Sequence, residues 1–200
     1  HVSTAEYEAC FDYVAQHLPK QFLVISGGLA PDVPENFYAR LAALAKAQGV
    51  RVVLDSNGPA LAQALKEGVY VFKPSLRELR DLTGQDLPDQ DSQVAAAQQL
   101  VHSGQAEIVA LSLGAEGALV VSATERWRAR SVKVDVQTTI GAGDSFVAGM
   151  VWSLGRGEPV LKAFQYGMAS GAAALLAPGT SLSQASDVHA LLPQVVIEAI

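Results

Sequence analysis

The chain has 200 residues, 50% of them apolar and only 17% charged, below the ~25% of an average soluble domain. That excludes a disordered chain, an acidic tail and a charged coiled coil. Lys plus Arg number 14 against 20 Asp plus Glu, a formal charge of −6, which argues against a dedicated binder of nucleic acid or of an anionic membrane. The single cysteine, Cys10, builds neither a disulfide framework nor a cysteine-cluster zinc site. No basic-then-apolar segment follows His1, so no secretion signal is read and a cytoplasmic location is expected. A start on His1 rather than Met reads as a processed or cloned terminus, or as a beginning in the middle of a longer protein.

In chain order, Ser3 and Glu6 have capping-box spacing and open a helix to about His17, which Pro19 stops. The apolar run 22–25 reads as a strand buried on both faces. Gly27 to Pro31 form a turn. Residues 34–48 read as a helix with Phe37, Leu41, Leu44 and Ala45 on one face and Gly49 closing it. Strands are expected at 50–54, 69–72 and 108–111, with helices at 59–66, 76–82 and 91–102 between them. Residues 117–121 and 127–134 look like a hairpin pair. The remainder is expected to be helical, over 144–154, 160–176 and 185–200. The longest charge-free stretch lies between Lys162 and Asp187, but its helical part, 163–177, is short of the ~20 apolar residues a membrane span needs. A buried helix is the expectation there, with no membrane partner.

Strand, helix, strand with short connections predicts an α/β fold, a mostly parallel sheet with helices on both faces. Asp55, Lys73 and Ser112 then lie at the carboxyl ends of strands, the edge at which open α/β sheets bind ligands. The four histidines have no metal-ligand spacing and are expected at the surface. Arg126, Arg128 and Arg130 alternate along one strand, as on a solvated strand face. No P-loop, dinucleotide fingerprint or nucleophile elbow is present.

The densest chemical signal is Thr138-Thr139-Ile140-Gly141-Ala142-Gly143-Asp144-Ser145-Phe146, read as following a strand and opening an apolar helix. Gly141 and Gly143 free the backbone for positive φ. Amides at a helix start lack intrahelical partners and sit at the positive end of the dipole, a place for phosphate or developing negative charge. Asp144 in the same turn makes sense as a general base toward a hydroxyl attacking phosphorus. A tight turn with Asp144 as a helix cap explains the spacing equally well.

That string resembles the second signature of the ribokinase-like sugar kinases, the phosphofructokinase B family. Four further strings resemble the family's segments in the same order. They are Ser26-Gly27-Gly28-Leu29-Ala30-Pro31, Leu54-Asp55-Ser56-Asn57-Gly58, Phe72-Lys73-Pro74-Ser75-Leu76-Arg77-Glu78 and Leu111-Ser112-Leu113-Gly114-Ala115-Glu116-Gly117-Ala118. The combination is most similar to the phosphosugar branch: phosphofructokinase, 1-phosphofructokinase and tagatose-6-phosphate kinase. The resemblance implies an ATP-dependent kinase for fructose 6-phosphate or fructose 1-phosphate. Asp144 would be the base, with Gly141, Ala142 and Gly143 as the anion hole. Lys73, Ser75, Ser112, Gly114, Gly117 and Gly171 would contact the nucleotide, and Glu78 would hold Mg²⁺ largely through water. The Gly167–Gly171 helix would wall the adenine site, and Pro178-Gly179-Thr180 would close that helix.

The same resemblance implies ATP with Mg²⁺, leaves room for a monovalent cation, and suggests a homodimer in the full-length protein. Two departures stand out. Ser75 replaces an asparagine, and Gly28 replaces a serine, removing a sugar-side hydroxyl. Family members carry roughly a third more chain ahead of the position of His1, with the first strands, the lid and most sugar-binding residues. Residues 1–200 are therefore expected to be the C-terminal nucleotide-binding and catalytic part of a single ribokinase-like kinase domain, incomplete for want of those strands and lid. The alternative is a truncated nucleotide-binding remnant without sugar kinase activity.

Overall fold

The computed structural model describes residues 1–179 and 181–200. Among these, seven strands follow one another in chain order across one mixed, mostly parallel sheet, with eight α-helices. The chain divides into two compact units, residues 1–109 and 110–200.

The first unit contains α1 (Thr4–Gln16), β1 (Phe22–Ser26), α2 (Phe37–Ala47), β2 (Arg51–Asp55), α3 (Gly58–Lys66), β3 (Val69–Phe72), α4 (Leu76–Thr83), α5 (Gln90–His102) and the start of β4 (Ala106–Ser112). The strands pair in parallel, with Ser26 beside Asp55, Leu54 beside Phe72 and Phe72 beside Val109. Successive strand residues point to opposite faces. Burial of the consecutive Val52, Val53 and Leu54, and of Val71 and Phe72, therefore means that both faces of β2 and β3 are covered. Leu54, Leu65 and Phe72 are wholly buried, each contributing about 1.5–3 kcal/mol relative to exposure.

β1 departs from its expected burial on both faces. Only Ile25 is buried, and Val24 is 44% exposed. Among the described residues β1 pairs with β2 alone, and an apolar run does not by itself state whether a strand is covered on one face or on both. The preceding α1 has no buried residue; its Tyr7 and Phe11 meet Phe37 of α2 edge-on, and Glu8 makes a bidentate pair with Arg40 of α2, both bonds 2.7 Å.

Helix starts in this unit follow local chemistry. Ser3 with Glu6 and Ser75 with Glu78 form reciprocal capping boxes, as do Asp89 and Ser92. α2 begins at Phe37, three residues after the expected Pro34, because residues 34–36 form a turn.

The second unit completes β4 and adds β5 (Ala118–Ser122), β6 (Arg126–Ala129), α6 (Ala142–Gly155), α7 (Val160–Leu176), α8 (Ala185–Leu191) and β7 (Ile197–Ala199). β5 and β6 form the expected antiparallel pair, Val120 opposite Trp127. The expected second strand, 127–134, ends early at Ala129. Beyond it the backbone leaves the ladder, and the Gln137 amide donates to the Leu175 carbonyl of α7 at 2.8 Å. The glycine-rich segment therefore follows irregular chain, not a strand.

The expected helix over 185–200 is also corrected. α8 stops at Leu191, a 3₁₀ turn covers Leu192–Gln194, and β7 pairs antiparallel with β6. Pro193 has no amide to donate, and the β-branched Val195, Val196 and Ile197 favour extended backbone.

The arginine stripe is only partly solvated. Arg126 and Arg130 are exposed, but Arg128 lies 3.6 Å from the Glu116 carboxylate with its side chain 14% exposed. All four histidines are exposed, as expected.

α6 and α7 approach closely through small residues. A Cβ on Gly149 would collide with Ser170 and stand 2.6 Å from the Tyr166 carbonyl; one on Gly167 would stand 2.7 Å from Met150. Of the expected Pro178-Gly179-Thr180 stop after α7, Thr180 lies outside the described residues. Among the described residues no helix is long and apolar enough to cross a membrane.

Candidate phosphoryl-transfer and nucleotide site

In the second unit the candidate anion hole forms at the start of α6. Gly141 is its N-cap, in the left-handed region at φ +79°. Nothing lies within 4 Å of a Cβ built there, so backbone conformation rather than space requires glycine. The Gly141 carbonyl accepts the Ser145 amide at 2.9 Å. The amides of Ala142 and Gly143 therefore precede the first intrahelical bond and stand at the positive end of the helix. Gly143 and Asp144 are exposed, and Asp144 is the acid of the first turn. The backbone amides of the candidate anion hole and the Asp144 carboxylate thus share one turn.

Gly171 supports that turn from α7. Its Cβ position is 3.2 Å from the Ala142 carbonyl, so a larger residue there would press on the first turn of α6. This close helix contact accounts for Gly171 without a ligand.

At the end of β4, Ser112 is half-buried and Leu113 donates to the Gly117 carbonyl at 2.8 Å. Gly114 opens a 3₁₀ turn at φ +60°. Gly117 has φ +103°, and a Cβ there would overlap the Ala129 carbonyl and stand 2.8 Å from the Ser131 amide. The turn itself demands both glycines.

In the first unit, Lys73 follows β3 and is only 6% exposed. Its amide donates to the Leu54 carbonyl at 3.0 Å, and its ammonium lies 3.2 Å from Asp55 Oδ1. Individual residues do not reveal this partnership, but the register does. Leu54 pairs with Phe72, which brings the next residues, Asp55 and Lys73, side by side.

Ser75 and Glu78 have an architectural role. Ser75 Oγ accepts the Glu78 amide at 3.3 Å, and Glu78 Oε2 accepts the Ser75 amide at 2.7 Å. One oxygen of the carboxylate read as a magnesium holder is therefore engaged in capping α4. Among the described residues no group of three or more His, Cys, Asp or Glu side chains could hold a metal. Mg²⁺ in nucleotide sites takes one or two carboxylates and fills its shell with water and phosphate oxygens. A single half-buried carboxylate such as Glu78 fits that pattern.

The loop after β1 is fixed by three hydrogen bonds on one residue. Gly27, at φ +85°, donates to the Asp55 carbonyl at 2.9 Å. Its own carbonyl accepts Ser56 Oγ at 2.8 Å and the Tyr38 hydroxyl at 3.2 Å. Ser56 and Tyr38 are both buried, and burial raises the Tyr38 pKa, keeping the phenol a donor. Sequence reasoning missed this clamp, because Tyr38 belongs to no recognised motif and the string that contains Ser56 does not state that its hydroxyl turns to the Gly27 carbonyl.

The model of the pfkB family carbohydrate kinases matches residues 3–187. The chain belongs to that family. It is 37% identical over 189 residues to the ATP-dependent 6-phosphofructokinase isozyme 2 of Mycobacterium tuberculosis, covering 94% of this chain and 56% of that protein. It is 29% identical over 196 residues to the 1-phosphofructokinase of Bacillus subtilis, covering 98% of this chain and 64% of that one. The crystal structure of phosphofructokinase-2 from Escherichia coli in complex with potassium matches with a TM-score of 0.91 and 34% identity, over 96% of this chain and 62% of that chain. This pfkB chain thus spans somewhat over half the length of the relatives it matches.

Proposed function

We propose that this chain carries the nucleotide-binding and catalytic part of an ATP-dependent phosphosugar kinase acting on fructose 6-phosphate or fructose 1-phosphate. The observation that carries the reading is the start of α6, where a left-handed Gly141, amides ahead of the first helical bond and the exposed Asp144 share one turn.

In this reading the Asp144 carboxylate takes the proton from the sugar hydroxyl as its oxygen attacks the γ-phosphorus, worth ~10²–10⁴-fold in rate. The backbone amides of Gly141, Ala142 and Gly143 donate to the oxygens of the phosphoryl group in transfer, about 3–4 kcal/mol per donor. Lys73, held by Asp55, supplies positive charge toward the nucleotide phosphates, and the turn from Ser112 through Gly114 to Gly117 contacts the nucleotide. Ser75 sets the start of α4 and through it Glu78. Mg²⁺ bound with the nucleotide neutralises phosphate charge, and Glu78 would hold it through water. Gly171 contributes by letting α7 back the anion turn and wall the adenine side.

The names of the relatives, 6-phosphofructokinase and 1-phosphofructokinase, support a phosphosugar acceptor. The potassium in the similar Escherichia coli structure supports a monovalent cation as a further ligand. The reading places both units in one ribokinase-like kinase domain of a cytoplasmic protein, with a homodimer as the full-length form.

The test is ADP release in ATP, Mg²⁺ and either fructose phosphate, repeated with Asp144→Asn. Sugar-dependent release that collapses in the variant is the expected result. ATP binding without sugar-dependent turnover identifies a nucleotide-binding chain lacking kinase activity, and absence of ATP binding overturns both readings.

A further inference from the structure

Asp55 stands between two backbone hydrogen bonds that run to opposite neighbours. The Leu54 carbonyl, in the peptide before the Asp55 Cα, accepts the Lys73 amide at 3.0 Å. The Asp55 carbonyl, in the peptide after it, accepts the Gly27 amide at 2.9 Å. Both peptide planes about that Cα are therefore tied, one to Lys73 itself and one to Gly27. A residue has only two soft backbone dihedrals, so these bonds fix the direction in which the Asp55 side chain leaves the backbone. The Lys73 ammonium is held by that side chain, 3.2 Å from Oδ1.

Gly27 lies one residue beyond the last register pair of β1 and β2, Ser26 with Asp55. Strand ends open locally unless something beyond the ladder holds them. Here the holders are two buried hydroxyls on one carbonyl. Ser56 Oγ donates to the Gly27 carbonyl at 2.8 Å, and the Tyr38 hydroxyl donates to it at 3.2 Å, which uses both of its lone pairs. Ser56 follows Asp55 directly, so Gly27 and the Asp55–Ser56 pair close on each other through one backbone bond and one side-chain bond. Tyr38 fastens that closure to α2, whose Leu41, Ala42 and Ala45 are buried.

We infer that Tyr38 and Ser56 are positioning residues for Lys73: through Gly27 and Asp55 they set where its ammonium stands toward the nucleotide phosphates. The inference rests on the kinase reading above, in which Lys73 supplies that charge. It adds that the aim of the lysine is set by two hydroxyls, one from a helix and one from a strand end, acting through the backbone rather than on the ligand. A displacement of about 0.5 Å is enough to spoil a contact of this kind.

The test is calorimetric titration of the chain with ATP and Mg²⁺, without sugar, on the wild type, Tyr38→Phe and Ser56→Ala, each also combined with Lys73→Met. Either single variant leaves the Gly27 carbonyl one donor, and thermal midpoints check that all of them fold. Loss of one such hydrogen bond is expected to raise the Kd for ATP about three- to tenfold. Lys73→Met is expected to raise it at least as much. Once Lys73 is methionine, the two clamp variants are expected to change the Kd by less than about twofold, because the group they aim is gone. A merely structural role does not depend on Lys73. Equal rises in both backgrounds, or lowered midpoints with an unchanged Kd, therefore overturn this inference alone. An unchanged Kd in Lys73→Met overturns it together with the nucleotide role of Lys73. Absence of ATP binding in the wild type overturns it together with the kinase reading.

Discussion

Asp55 Oδ1 stands 3.2 Å from the Lys73 ammonium, a pairing between the ends of two adjacent parallel strands with the lysine side chain 7% and the aspartate side chain 16% exposed. Removing the carboxylate strands a charge in low dielectric. Asp55→Ala is expected to destabilise the protein by about 3 kcal/mol. Lys73→Met is expected to lose less, because its aliphatic stem is replaced and the carboxylate left behind is the more exposed partner. Urea denaturation of the two variants checks the order.

Asp144 is exposed on the first turn of α6. Asp144→Asn is expected to reduce sugar-dependent ADP release at least about 100-fold while moving the thermal midpoint by no more than about 2 °C. A matched calorimetric scan separates loss of chemistry from loss of fold.

Gly141 and Gly117 both have positive φ, but only Gly117 is also crowded. Gly141→Ala is expected to cost about 1–2 kcal/mol from backbone conformation and to slow phosphoryl transfer by distorting the amides of the α6 start. Gly117→Ala adds overlap with the Ala129 carbonyl and is expected to destabilise more, seen as the lower denaturation midpoint of the pair.

The bidentate contact from Arg40 holds the Glu8 carboxyl below its ordinary 4.5. Hydrogen bonds from Ser3 and Ser92 do the same for Glu6 and Asp89. A carboxyl whose folded pKa is depressed lends stability above its ordinary value and loses it as pH falls through the folded value. Stability is therefore expected to decline from about pH 4.5 downward. Glu8→Gln should reduce that slope while changing little at neutral pH, where an exposed pair contributes modestly. Denaturation midpoints measured across the acid range read this directly.

Much of the architecture was legible because its signals are local. The apolar runs of β2, β3 and β4 and the Ser3–Glu6 box are written within a few residues. The end of the chain was not, because residues 185–200 have no strong period of their own and β7 forms only where β6 offers an edge. At the candidate site, the glycine-led helix start from Gly141 to Asp144 was readable, since glycine and helix start are both local features. Ser75 and Glu78 were readable in two ways, because a capping box and the family's nucleotide segment share the same spacing. Only the hydrogen bonds show the capping use. The Asp55–Lys73 pair and the Tyr38–Gly27–Ser56 clamp depend on which strand and helix lie next to which, and residue types alone do not state that.

The register that sets Leu54 beside Phe72 also governs which length changes the chain can absorb. A residue added or removed inside β3 would turn Lys73 to the opposite face of the sheet and separate it from Asp55. The same change in the turn between α3 and β3, around the half-buried Glu67, would leave the strand in step. Insertions and deletions in this part of the molecule are therefore tolerable by location rather than by size.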